Sequence, residues 1–163
     1  MAITRGLFMS ERPDWETPPA VFEYFNKQYR FTLDVCATPA NAKCARYFTM
    51  KENGLARSWA GERCWCNPPY GRAIGDWLRK AVDEGDRAPV ICCLIPARTD
   101  TAWWHDHVAM HAKVIFLRGR VRFVGGAGAA PFPSAVAIFG HEAKLLPRVA
   151  HVDLRGRDRV AQG

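Results

Sequence analysis

Arg63-Cys64-Trp65-Cys66-Asn67-Pro68-Pro69-Tyr70-Gly71 is a short apolar run that stops abruptly on turn-forming residues. The run predicts a strand, and two consecutive prolines, which lack a backbone N–H, forbid its continuation. On the C-terminal side, Ile74–Glu84 has helical spacing, with Ile74, Trp77, Leu78 and Ala81 on one face. Residues 89–95 are continuously apolar, the pattern of a strand buried on both faces. A helix is expected over 99–110, capped by Thr99 or Asp100, and then a strand at Lys113–Leu117. Residues 121–124 and Ser134–Phe139 are expected to pair antiparallel around the glycine-rich loop 125–130.

On the N-terminal side, 31–36 reads as a strand and 45–49 as a second short one. Thr17-Pro18-Pro19 predicts a helix start, with Thr17 as the cap, and Val21, Phe22, Tyr24 and Phe25 follow at helical spacing. Strands alternating with helices predict an α/β sheet with helices on both faces, closed by a C-terminal antiparallel hairpin. The division expected is a flexible arm over 1–13, one domain over 14–143 and a loosely ordered basic tail over 144–163. That tail carries five Lys or Arg against two Asp.

The chain of 163 residues has a net charge of +7, which favours an anionic partner, nucleic acid before membrane. No stretch has the apolar length to cross a bilayer, and 1–11 lacks the apolar core of a secretory leader. Cys36, Cys44, Cys64, Cys66, Cys92 and Cys93 are therefore expected as reduced thiols. The first four could be read as a zinc site, but their spacing matches no common finger. His105 and His107 flank Asp106, yet their spacing puts them on different faces of a helix. No metal is expected.

Asn67-Pro68-Pro69-Tyr70 carries the chemistry. An aromatic amino group is a poor nucleophile because its lone pair is delocalised into the ring. Accepting hydrogen bonds from both of its N–H groups draws that lone pair out. The Asn67 side-chain oxygen and the Pro68 carbonyl, held by the stiff Pro68-Pro69 backbone, are two such acceptors. Tyr70 offers a flat face for a base rotated out of a duplex. The plain alternative is a turn after a strand, since Asn-Pro and Pro-Pro both mark turns.

Here the sequence resembles the phage-type, Dam-like DNA N6-adenine methyltransferases, from about Trp15 to Phe139. Trp15-Glu16-Thr17-Pro18-Pro19, Leu33-Asp34-Val35-Cys36-Ala37 and Asn53-Gly54-Leu55 with Trp59 are similar to the family's cofactor segments. Trp65 to Gly71 is similar to its catalytic motif. The stretches running from Leu94 to Thr101 and from Ala130 to Ser134 are more specific to the family than the catalytic tetrapeptide. The resemblance implies a class I, Rossmann-like fold and S-adenosylmethionine as methyl donor. It implies cofactor contacts from Trp15, Thr17, Pro18, Asp34, Cys36, Ala37, Asn53, Gly54, Leu55 and Asn67. Asp34 is expected near the donor's charged or ribose groups and Thr17 near its amino acid part. The cofactor strand departs from the pattern in lacking a glycine-rich turn. Asn53 stands where an acid is usual, and accepts through a neutral carbonyl oxygen.

Other residues have two readings. Asp34 serves the cofactor or caps a turn. Arg118, Arg120 and Arg122 alternate with Gly119, Val121 and Phe123, as either a phosphate-contacting stripe or a solvated sheet face. Of Trp103 and Trp104, one ring is expected in the core. Arg98 follows a buried strand and is placed on the active-site rim, with Phe132 joining Tyr70 around the flipped base. The function expected is adenine N6 methylation of DNA, with Asn67, Pro68, Pro69 and Tyr70 catalytic, in the cytoplasm of a phage's bacterial host. No obligate protein partner is evident, and the oligomeric state is left open. The rival readings are an amino methyltransferase acting on RNA or on protein glutamine, and a non-catalytic DNA-binding module.

Overall fold

A computed structural model describes residues 15–155; the arm read at 1–13 lies outside them. Its frame is one six-stranded mixed sheet. In chain order the strands are β1 (Leu33–Asp34), β2 (Arg63–Cys66), β3 (Val90–Pro96), β4 (Lys113–Leu117), β5 (Ser134–Phe139) and β6 (Val149–Val152). Their spatial order is β1-β2-β3-β5-β4-β6. β1, β2 and β3 are parallel, β5 runs against both β3 and β4, and β4 is parallel to β6. Five strands thus point one way and only β5 is reversed.

The helices are α1 (Pro19–Tyr29) and α2 (Ile74–Glu84), with a π-helix at Trp104–Ala109. Alternate residues of the central strands divide between two apolar clusters, as the two-residue period of a strand requires. Trp65, Cys92, Leu94, Val136 and Ile138 cluster with Val21, Phe22 and Phe25 of α1. Cys64, Cys66, Ile91, Cys93 and Ile95 cluster with Ile74, Trp77, Leu78 and Ala81 of α2, and with Trp104 and Val108 of the π-helix. Every residue of β3 is buried, as its unbroken apolar run predicts.

Several local expectations are corrected. The N-cap of α1 is Pro18, without a side-chain cap; Thr17 is buried one position earlier and does not cap. At the helix following β3, the Thr101 hydroxyl accepts the Trp104 N–H at 3.3 Å, so neither Thr99 nor Asp100 caps it. β1 has two residues where six were expected, and 45–49 supplies one parallel bridge, Asp34 to Tyr47.

Residues 121–124 form no strand. Gly119, at φ +76°, turns the chain out of the sheet, and β5 pairs with β3 and β4 instead. The tail is not loose through Val152: β6 covers the outer edge of β4. Trp104 is buried against Phe116, and Trp103 is half-buried.

Candidate active site

Three neighbouring parallel strands end at one edge of the sheet, and each delivers a predicted site segment there. β1 ends at Asp34, β2 leads into Asn67, and β3 leads into Arg98. In open α/β sheets, ligands bind outside the carboxyl ends of the strands.

The loop Asn67-Pro68-Pro69-Tyr70 is held from several sides. Asn67 Nδ2 donates to the Trp15 carbonyl oxygen at 2.7 Å. A carbonyl can only accept, so this bond fixes which end of the amide faces Trp15. Asn67 Oδ1 is thereby left buried without a hydrogen-bond partner. The Pro68 carbonyl accepts no hydrogen bond from a described residue. Two unspent acceptors therefore stand on consecutive residues, an arrangement that proteins rarely leave unsatisfied without a ligand to complete it.

Tyr70 donates its hydroxyl to the Leu94 carbonyl at 3.1 Å, which anchors the ring to β3. Burial holds its phenol well above the usual range, so it stays neutral and keeps its proton for that bond. Around it stand Phe132, Phe123 and Trp15, with ring centroids 5.6, 6.1 and 6.3 Å from that of Tyr70. Arg98 lies over the Phe132 ring at 5.7 Å, and the Ala97 N–H donates to the Pro133 carbonyl at 2.8 Å. The two family-like stretches after β3 and before β5 are thus fastened to each other.

Phe123 and the Trp15 carbonyl were not singled out in the sequence. Phe123 sits in the buried-exposed alternation that was read for its arginines. The Trp15 contact arises because Glu16 bridges Val124, more than a hundred residues away, and no local pattern announces it.

The cofactor candidates gather beside β1. Asp34 is 3% exposed, and its two carboxylate oxygens accept the backbone N–H groups of Cys36 at 3.3 Å and Lys43 at 3.0 Å. The turn-cap reading of Asp34 describes these bonds. Burial raises its pKa from 3.8 to about 6, against the lowering effect of the two N–H bonds and of the Lys43 charge. Lys43 also pairs with Glu16 at 3.2 Å, tying this loop to the segment behind the catalytic loop.

Asn53 adopts the left-handed conformation (φ 59°) at the head of the turn Gly54–Ala56. A Cβ on Gly54 would lie 2.2 Å from the Val35 carbonyl, so only glycine lets this turn approach the end of β1. Trp59 Nε1 donates to the Gly54 carbonyl at 2.9 Å and secures the approach. Asn53 Oδ1 is buried without a partner, a free acceptor of the kind an adenine amino group requires.

Burial holds the Cys36, Cys66 and Cys92 thiols above their usual range, so none offers a thiolate nucleophile. Among the described residues, no three His, Cys, Asp or Glu side chains converge as a metal site.

Comparison with known proteins agrees with this geometry. A family described as DNA N-6-adenine-methyltransferase (Dam) matches residues 6–136. The chain belongs to the Dam family. It is similar to the DNA N-6-adenine-methyltransferase of Escherichia phage T1, at 30% identity over 105 residues, covering 63% of this chain and 44% of that protein. It is also similar to that of Haemophilus phage HP1, at 28% identity over 118 residues, covering 71% of this chain and 68% of that protein. The matched part thus spans less than half the length of the T1 enzyme and about two-thirds of the HP1 enzyme. Of the Dam-family stretches read in the sequence, those at Trp15, Leu33, Asn53, Asn67, Arg98 and Phe132 all lie at or beside the ends of β1, β2 and β3. Arg118, Arg120 and Arg122 lie on the connection that follows β4, which leads directly to Phe123 beside the Tyr70 ring.

Proposed function

We propose that the chain methylates the N6 amino group of adenine in DNA, using S-adenosylmethionine. The observation that carries this reading is the Asn67 carboxamide. Its nitrogen is spent on the Trp15 carbonyl and its buried oxygen is spent on nothing. The fold proposed with it is class I, Rossmann-like. The placement of α1 and α2 in separate apolar clusters of the sheet supports helices on both faces.

Asn53, with Gly54 and Leu55, would hold the cofactor's adenine through the free Asn53 oxygen. Asp34 would act chiefly by fixing the loop through the backbone N–H groups of Cys36 and Lys43, with Ala37 held in that loop by the Phe48 carbonyl and Thr17 and Pro18 at its flank. When bound, S-adenosylmethionine supplies an electrophilic methyl group on a sulfonium.

The chain's own contribution is positioning. Asn67 Oδ1 and the Pro68 carbonyl accept the two N–H groups of the target, which localises on the nitrogen a lone pair otherwise delocalised into the ring; the amino proton displaced by methylation leaves to water. Pro69 stiffens the loop so that this geometry is set before the substrate arrives. Tyr70, Phe132 and Phe123 supply the apolar walls against which an extruded base stacks. Holding both reactants in line accounts for the rate, because positioned groups remove much of the entropic barrier.

DNA is the partner proposed, and the bacterial host's cytoplasm the compartment. Among the described residues no helix is long and apolar enough to cross a membrane. The experiment is methylation of unmodified DNA with labelled cofactor, followed by nucleoside analysis. N6-methyladenine is the expected product. N4-methylcytosine, or transfer only to RNA or to protein, would overturn the assignment.

A further inference from the structure

The reversed strand β5 has a consequence for charge. β4 and β6 are parallel to β3, so their C-terminal ends leave the same edge of the sheet as the catalytic loop. Arg118, Arg120 and Arg122 follow β4, and Arg155 follows β6. These four arginines, with Pro18 and Val121, line an open cavity of about 610 Å³. Asp153 is the acid beside them. It takes Arg155 in a two-pronged pair at 2.9 and 2.7 Å and lies 3.8 Å from Arg118. Arg120 and Arg122 are exposed and make no ion pair with a described residue.

Four guanidiniums against one carboxylate leave the cavity strongly positive. It is also next to the proposed base site. Val121 lines the cavity, while Phe123, two residues on and likewise buried, packs against Trp15 and Tyr70.

We propose that this cavity is a phosphate subsite that holds the backbone of the target DNA strand beside the extruded adenine. Arg120 and Arg122 make the contacts, and Arg118 and Arg155 are held ready by Asp153. The inference rests on the methyltransferase reading for its choice of DNA as ligand. Guanidinium suits the site because its planar fork pairs two-pronged with phosphate oxygens. Such contacts carry no sequence information; they set where the strand lies.

The test is duplex oligonucleotide binding as a function of salt, for the wild type and for Arg120→Ala with Arg122→Ala. Each neutralised phosphate contributes a slope of about 0.9 to log affinity against log salt. The double variant should therefore flatten the slope by up to about 1.8. Arg120→Lys with Arg122→Lys should keep most of the slope, because the charge remains. A charge-matched control, Arg79→Ala with Lys144→Ala, removes two exposed cations from α2 and from the opposite end of the sheet, and should keep the wild-type slope.

A wild-type slope in the Arg120, Arg122 variant, or equal flattening in the control, overturns the subsite and leaves the methyltransferase reading standing. Inorganic phosphate competing as well as DNA at equal phosphate concentration also overturns it, since the cavity would then be a small-anion site. A wild type that neither binds nor methylates DNA overturns the functional reading and the subsite together.

Discussion

Asn67 is where chemistry and architecture meet in a single side chain. Its Nδ2 bond to Trp15 leaves the oxygen as the unspent end of the amide. Asn67→Ala is expected to lose methyl transfer by 10²–10³-fold, about 3–4 kcal/mol of barrier by comparison with other preorganised polar groups, while cofactor binding persists. Single-turnover methylation beside calorimetric titration of the cofactor separates the two, and near-wild-type turnover would dismiss the loop as catalytic. Asp34 should behave in the opposite way: Asp34→Ala frees the loop at Cys36 and Lys43, so calorimetry should register weaker cofactor binding.

The acidity of Asp34 also marks stability. Its folded pKa of about 6 lies above its ordinary 3.8, so the folded chain holds the extra proton between those values. The contribution is full below about pH 4 and is lost as pH rises through 6, by about 3 kcal/mol. Urea unfolding at pH 4 and pH 7 should show this fall in the wild type and not in Asp34→Asn. Equal pH dependence in both would place the proton elsewhere.

At the scale of elements, α2, β3 and β5 were legible because each has an unbroken local pattern. The amphipathic face of Ile74–Glu84 and the apolar runs of β3 and β5 needed no distant information. The misread elements are those decided by distant partners. Residues 121–124 have a strand's alternation but no strand to pair with after the turn at Gly119; they meet Glu16 through one bridge instead. The motif residues of the site were legible, whereas its enclosure by Trp15 and Phe123 depends on contacts between the two ends of the domain.

Glu84, at the end of α2, was equally silent in the sequence. It is 1% exposed and accepts the Trp59 N–H at 3.1 Å, Lys80 at 2.5 Å and Arg87 at 2.9 Å. Glu84→Ala would strand a buried N–H and an ammonium at once. Such removals cost about 3–5 kcal/mol, so the denaturation midpoint should fall markedly; an unchanged midpoint would mean that water replaces the carboxylate.

At the scale of the whole molecule, β6 covers the edge of β4 and becomes the outer strand of the sheet itself. Its own residues are half-buried or exposed, with Val149 50% exposed, so its role is hydrogen bonding along β4 more than burial. Ending the chain after Pro147 should uncover the β4 backbone and produce concentration-dependent association, detectable by light scattering, because an unpaired edge templates strand addition. A monomeric, fully stable truncation would show that β4 protects itself by other means.

The common direction of five strands has an evolutionary corollary. Every residue proposed to meet substrate hangs from one rim, and the opposite rim holds turns such as that at Gly140, where any Cβ would collide with the Pro89 carbonyl at 2.5 Å. Variation in the long connection from Arg118 to Pro133 can therefore retune which strand is held, and how firmly, without disturbing the register of the sheet. The opposite rim has no such freedom, so drift among relatives should be lopsided: rapid on one rim, frozen on the other.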